Sequence, residues 1–248
     1  HQKSINYSEC NNDSMFIANN YMGLTNVFFY IKNYAAAREN CSKAFDIYNK
    51  TGSLYGKANC FNLLGNIYLR EKKYDEALRN YNLSLKICEE FNIERIIPLL
   101  YCNIGNVHFE QNRYKEAQKF YEKSLELIIE ANNINALAAI YSNLGAIYLE
   151  YNELKKAIKY GEKGIEYSIK TNQPYRKMEN LNMLATAYAK SGSYKLAYDF
   201  LAKAKRLNDS LITEQNNSEI SQLNKKFETE KKELQIQQLQ NQEKLKEA

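Results

Sequence analysis

Few residues in this 248-residue chain could do covalent or acid–base chemistry, and none sits in a constellation that such chemistry needs. There are two histidines, His1 and His108. For His108 to move protons or hold a metal, it would need a carboxylate, thiol or second imidazole at ligand spacing, and none accompanies it. It reads as a packed ring. The five cysteines, Cys10, Cys41, Cys60, Cys88 and Cys102, are odd in number and lack short metal spacing. That argues against a disulfide framework and against zinc. The stretch Gly52-Ser53-Leu54-Tyr55-Gly56-Lys57 comes near a phosphate-binding loop. It is one residue short between its glycines and no strand precedes it, so it reads as a turn. Glu89-Glu90 is a solvated pair near a helix end. The expectation is a chain with no catalytic residue, no metal and no cofactor.

Bulk properties narrow the class. The chain is 44% hydrophobic and 25% charged, which is ordinary for a folded soluble domain. With two prolines and nine glycines it has few breakers, which favours long helices. Its 21 tyrosines, with no tryptophan, mark tyrosine as the bulky core residue. The net charge of +5 is interleaved, so no basic block offers itself to nucleic acid. No apolar run spans a bilayer and no leader is visible, so membrane attachment is expected only through sequence outside this chain.

What does stand out is a period of 40 residues. Thr25, Gly65, Gly105, Gly145 and Ala185 form a column of small residues. Four positions earlier stand Tyr21, Phe61, Tyr101, Tyr141 and Leu181. One position earlier stand Leu24, Leu64, Ile104, Leu144 and Leu184. Three positions later come Phe28, Tyr68, His108, Tyr148 and Tyr188, and twelve later Ala37, Ala77, Ala117, Ala157 and Ala197. Within a unit, Phe61, Leu64 and Tyr68, then Tyr74, Ala77, Leu78, Tyr81 and Leu85, follow helical spacing. The pattern predicts helix, turn, helix. Lys72, Asn112, Asn152 and Gly192 are expected to close the first helices in the left-handed conformation, and Gly52, Asn92, Asn132 and Asn172 the second. Pro174 is expected to open a helix, and Pro98 to shift or bend one. Glycine at 65, 105 and 145 predicts near backbone-to-backbone contact, so Gly105→Leu should overpack. Gly161 and Gly164 replace the Tyr and Ser of other units, which predicts a gap in the fourth.

These columns resemble the tetratricopeptide repeat (TPR) over residues 14–208. The carriers in the second unit are Phe61, Leu64-Gly65, Tyr68, Ala77, Tyr81 and Ser84. The period is 40, as in the longer repeats of kinesin light chains, LGN-type polarity adaptors and Rap-type regulators. The resemblance implies an all-α, right-handed α-solenoid of five helix-turn-helix repeats followed by a long C-terminal helix. The expected divisions are a polar segment over 1–13, the solenoid over 14–208 and a signalling helix over 209–248.

The resemblance also implies a concave groove lined by the first helices. Its positions read Asn62, Asn66 and Arg70, then Asn103, Asn106 and Glu110, then Asn143 and Glu150, then Asn182 and Lys190. An amide offers both donor and acceptor, so a row of asparagines can hold a peptide backbone whatever its sequence. Arg70 and Lys190 are too few to clamp a C-terminal carboxylate, and Glu110 and Glu150 oppose an acidic ligand. A neutral or mixed-charge extended peptide, or an equivalent segment of a partner protein, is the expected occupant.

After Leu207 the pattern changes to Glu, Lys, Gln and Leu. Leu207-Asn208-Asp209-Ser210-Leu211 and Phe227-Glu228-Thr229-Glu230-Lys231-Lys232-Glu233, with Ile236 and Leu239, are similar to the linker after TPRs in bacterial sensor histidine kinases. That implies the sensor region of a signal-transduction receptor, periplasmic by expectation, with the output domain outside this chain. A cytosolic TPR adaptor and a Rap-like peptide-responsive regulator stay open as alternatives. Residues 213–246 could also pair in a homodimer, although Glu230, Gln237 and Lys244 interrupt a strict heptad.

Overall fold

In the computed structural model, residues 2–213 and Thr229 are described, with side chains from residue 14 onward. Among these residues all regular structure is helical. The helices are α1 (Gln2–Tyr30), α2 (Tyr34–Thr51), α3 (Leu54–Arg70), α4 (Tyr74–Glu90) and α5 (Ile97–Glu110). They continue as α6 (Tyr114–Glu130), α7 (Ile134–Glu150), α8 (Leu154–Lys170), α9 (Pro174–Lys190) and α10, residues 194–213. Each helix packs on the next, and each pair packs on the following pair, so the core is a ribbon running along the stack. This is the α-solenoid of five helix pairs. The predicted signalling helix and homodimer seam beyond residue 213 lie outside the described residues.

The turns explain the regularity. A left-handed residue occurs every 20 positions: Lys32, Gly52, Lys72, Asn92, Asn112, Asn132, Asn152, Asn172 and Gly192. Eight of the nine are the predicted stops, and Lys32 is the ninth. The amide after each left-handed residue closes the helix in a wide loop, as in Ser53 N–H to Tyr48 O at 2.9 Å and Arg113 N–H to His108 O at 2.8 Å. These bonds satisfy carbonyls that a helix end would otherwise leave open. Pro174 opens α9 as expected. Pro98 delays α5: a 3-10 turn, Glu94–Ile96, precedes it, and the helix begins at Ile97.

Each repeat solves the same packing problem with a different pair. In the second and third units the rings of Tyr81 and Tyr121 lie flat over Gly65 and Gly105. A Cβ at either glycine would come within about 2.5–2.6 Å of ring carbons, which no neighbour tolerates. In the first unit the bulk is exchanged: Thr25 replaces the glycine and Cys41 replaces the tyrosine, and both are fully buried. The expected gap in the fourth unit does not form. Both members there are small, Gly145 and Gly161, and α9 fills the space: the methyl and sulfur of Met183 would touch a Cβ at Gly145, and the Met183 methyl and the Leu184 side chain one at Gly161. Asn180 fills the space beside Gly164 in the same way. The sequence columns missed this because the filler comes from the next repeat.

His108 is the packed ring it was expected to be. It stacks on Phe120 with centroids 5.3 Å apart and planes 6° apart, the geometry that Tyr188 and Phe200 repeat two units later. Its Nδ1 is buried without a hydrogen-bond partner. Burial, and then the charge of Arg113, hold its pKa below the usual imidazole value. The unfolded chain therefore binds the proton first. The stability that neutral His108 contributes is complete above the unfolded value near 6.5 and declines as pH falls below it. Thermal melts between pH 7.5 and pH 5, ranges set around that value, should show His108→Phe losing less stability on acidification than wild type. An equal loss in both proteins would contradict this.

Candidate peptide-binding groove

First helices α3, α5 and α7 present their central columns along one face. A groove of about 820 Å³ opens there. Six of the ten predicted residues line it: Asn66, Arg70, Asn103, Asn106, Glu110 and Asn143. Asn62 instead lines a neighbouring pocket of about 330 Å³ between α1 and α3. Glu150, Asn182 and Lys190 are exposed further along the stack and line neither cavity.

The amides do not all stand free. Asn62 and Asn103 are 6% and 8% exposed, and Asn103 Nδ2 donates to Asn62 Oδ1 at 2.9 Å. This bond ties the second repeat to the third, so it serves the stack before it serves any ligand. Asn103→Leu would leave the Asn62 carbonyl buried without its donor, at a cost of about 1–3 kcal/mol. Replacing both with leucine removes the orphan and should recover most of that loss in a chemical denaturation series. A double variant as unstable as the single would contradict the pairing.

Asn66 and Asn106 are held differently. Tyr81 and Tyr121 donate from their hydroxyls to Asn66 Oδ1 at 2.7 Å and Asn106 Oδ1 at 2.8 Å. Burial pushes both phenols well above their ordinary pKa, so they remain donors at any physiological pH. The ring that packs on each glycine thus also fixes the amide one residue further on. With Oδ1 taken from behind, the Nδ2 groups of Asn66 and Asn106 have no partner among the described residues and remain available as donors. Asn143 Nδ2 donates to Asn106 Oδ1 at 3.2 Å and to Cys102 Sγ at 3.3 Å. Burial raises the Cys102 thiol to about 11, so it stays neutral beside the amide.

The columns did not show everything in the groove. Leu69, Phe109, Leu99 and Tyr30 give it apolar walls. Leu69 and Phe109 share a column four after the small residue, so periodicity could have found them. Arg176 and Glu179 also line it, joined by an ion pair at 2.8 Å. They come from the first turns of α9; Glu179 shares with Leu99 the column six before the small residue, so periodicity could have found it, whereas the column of Arg176 reads Gly56, Ile96 and Ala136 in the earlier units and gives no polar signal. The walls carry Arg70, Lys72 and Arg176 against Glu110 and Glu179, a mixed balance. Among the described residues no set of His, Cys, Asp or Glu could hold a metal, and no helix is long and apolar enough to cross a membrane.

A mixed-charge groove walled by amides on a stack of helix pairs defines a protein-interaction solenoid. The sequence model of the tetratricopeptide repeat matches residues 16–90 and 96–170, more than half of the chain, and the chain belongs to that family. No curated protein matches it. Solved structures show the same fold at low identity. BtubC (BKLC) from P. vanneervenii is 18% identical, with a TM-score of 0.59 over 81% of this chain and 92% of that one. A putative kinesin light chain from Podosopora anserina, with nearly identical TPR-like repeats, is 14% identical, with a TM-score of 0.61 over 81% and 98%. Aspartyl phosphate phosphatase F from Bacillus subtilis is 16% identical, with a TM-score of 0.63 over 78% of this chain but only 60% of its own length. At these identities the likeness is one of fold.

Proposed function

We propose that this chain is the sensor region of a bacterial signal-transduction receptor of the histidine kinase type, and that its groove binds an extended, neutral or mixed-charge peptide or an equivalent segment of a partner protein. The observation that carries the binding reading is the pair of prepositioned amides. Asn66 and Asn106 are anchored by tyrosines through Oδ1, which leaves Nδ2 to meet a peptide carbonyl. Such groups are ordered before the ligand arrives, so less entropy is lost on binding. Apolar walls at Leu69 and Phe109 would take one or two side chains. Glu150, Asn182 and Lys190, which lie past the groove, would meet only a longer ligand.

The sensor reading is supported by the linker-like sequence after Leu207. A bound peptide must favour one curvature of the stack over another, because a ligand shifts an equilibrium only by its differential affinity. The last helix would then carry the change to an output domain. Small-angle scattering of the 248-residue protein, with and without a groove-binding peptide selected from a random library, is expected to show a changed radius of gyration. An unchanged profile at saturation would overturn the transmission step. Reading the coding sequence past Ala248 tests the receptor: a membrane span and a kinase or helix-turn-helix module are expected, and an immediate stop would contradict it.

A further inference from the structure

Two thiols meet inside the stack where the next repeats place a tyrosine on an aliphatic residue. The slots that hold Tyr81 and Leu100 at one junction, and Tyr121 and Ile140 at the following one, hold Cys41 and Cys60 between α2 and α3. Both cysteines are fully buried, in a cluster with Ala18, Ala44 and Tyr48. They face one another. Cys41 Sγ lies 3.5 Å from Cys60 O, Cys60 Sγ lies 3.9 Å from Cys41 O, and the two thiols are hydrogen-bonded together. A disulfide needs two backbones that approach closely and two side chains that point at each other. The reciprocal contacts with main-chain oxygens supply the first, and the thiol–thiol contact supplies the second. Cys88 and Cys102 have other neighbours: Cys88 lies against Ser84, and Asn143 Nδ2 donates to Cys102 Sγ at 3.3 Å.

We propose that Cys41 and Cys60 are a disulfide site, oxidised by thiol–disulfide exchange with a small-molecule or protein disulfide. One cysteine thiolate attacks a sulfur of the oxidant, which forms a mixed disulfide and releases a first thiol. The other cysteine then loses its proton and attacks the sulfur of the first, which releases a second thiol. The pair gives up two electrons and two protons, and the oxidant's disulfide becomes two thiols. The timing follows from burial. The hydrogen bond with Cys41, and then burial, push the Cys60 thiol far above its ordinary pKa, so in the folded protein it holds almost no thiolate. Exchange therefore belongs to the folding chain, and the closed bond is shielded from reductant. It joins the second helix of the first repeat to the first helix of the second, so those repeats cannot pivot on each other. This inference goes beyond peptide binding, and either can fail without the other.

Refolding the denatured, reduced 248-residue protein in a buffer of oxidised and reduced glutathione tests this. The free thiols are expected to fall from five by the one pair consumed, and peptide mapping without reductant should join the Cys41 and Cys60 peptides. The oxidised protein should melt roughly 5–10 °C above the same protein after reduction, because the bond closes a loop of about twenty residues in the unfolded chain. In Cys41→Ala and in Cys60→Ala the same treatment should leave the melting temperature unchanged. Adding the buffer to the folded, reduced protein should form the bond roughly tenfold more slowly or worse, since a buried thiol exchanges only through opening. Equal rates from the folded and the unfolded chain would overturn the shielding. Five thiols retained after refolding, a pair mapped to any other two cysteines, or an oxidised protein that melts below the reduced one would overturn the site itself.

Discussion

Gly105→Leu is expected to cost about 3 kcal/mol or more of folding stability, and to lower the melting temperature by roughly 6–12 °C. A Cβ at residue 105 would stand 2.6 Å from Tyr121 ring carbons and 3.3 Å from Ala117 O. The ring cannot retreat, because its hydroxyl is fixed on Asn106 and it is buried between α5 and α7. The first repeat supplies a sharper version of the test. Thr25 and Cys41 occupy the equivalent slots there. Gly105→Thr should destabilise nearly as much as leucine, and adding Tyr121→Cys should restore about half, since the hydroxyl bond to Asn106 is not recovered. Differential scanning calorimetry reads both. A Gly105→Leu protein that melts with wild type, or a double variant worse than Gly105→Thr alone, would mean that bulk is not exchanged across this contact.

The second large effect concerns binding. For a peptide selected from a random library against the wild-type groove, Asn66→Ala with Asn106→Ala is expected to weaken affinity by about 30–150-fold in isothermal titration. Two hydrogen bonds at about 1–1.5 kcal/mol each give that figure. Asn49→Ala, on exposed α2 where it accepts from Lys57 at 3.1 Å, serves as the control and should change affinity less than threefold. Melting curves separate lost binding from lost structure. Removing the amides leaves the buried hydroxyls of Tyr81 and Tyr121 without acceptors, so the double variant should melt below wild type and is titrated well below its own transition. Equal affinity in wild type and double variant would remove the amide row from the binding site.

Much of this architecture was legible because a repeat tests each slot several times over. Five small residues at one spacing, and Gly or Asn at fixed stops, located the helices and the turns. The left-handed stop Lys32 lies one period before Lys72, so the column that placed Lys72 would have placed it too. The Met183 and Asn180 insertions stayed hidden because they satisfy the fourth unit from the fifth, across a distance no column records. In the groove, the columns found Asn66 and Asn106 but not their division of labour. Asn62 and Asn103 pair with one another, which depends on how closely neighbouring repeats stack. Glu179 shares the column of the groove residue Leu99 and was legible in principle, whereas the column of Arg176 reads Gly56, Ile96 and Ala136 in the earlier units and carries no signal for a charged groove residue.

The central claim is that the groove holds a peptide by its backbone. A paired scan of one selected peptide tests it most directly, replacing each residue first with alanine and then with its N-methyl form. The account predicts two or three positions where alanine changes affinity little and N-methylation weakens it at least tenfold, the methyl group disturbing an extended main chain seated against Asn66, Asn106 and Asn143. If N-methylation is silent throughout while alanine substitutions alone abolish binding, recognition is by side chains and the amide row is not what holds the ligand.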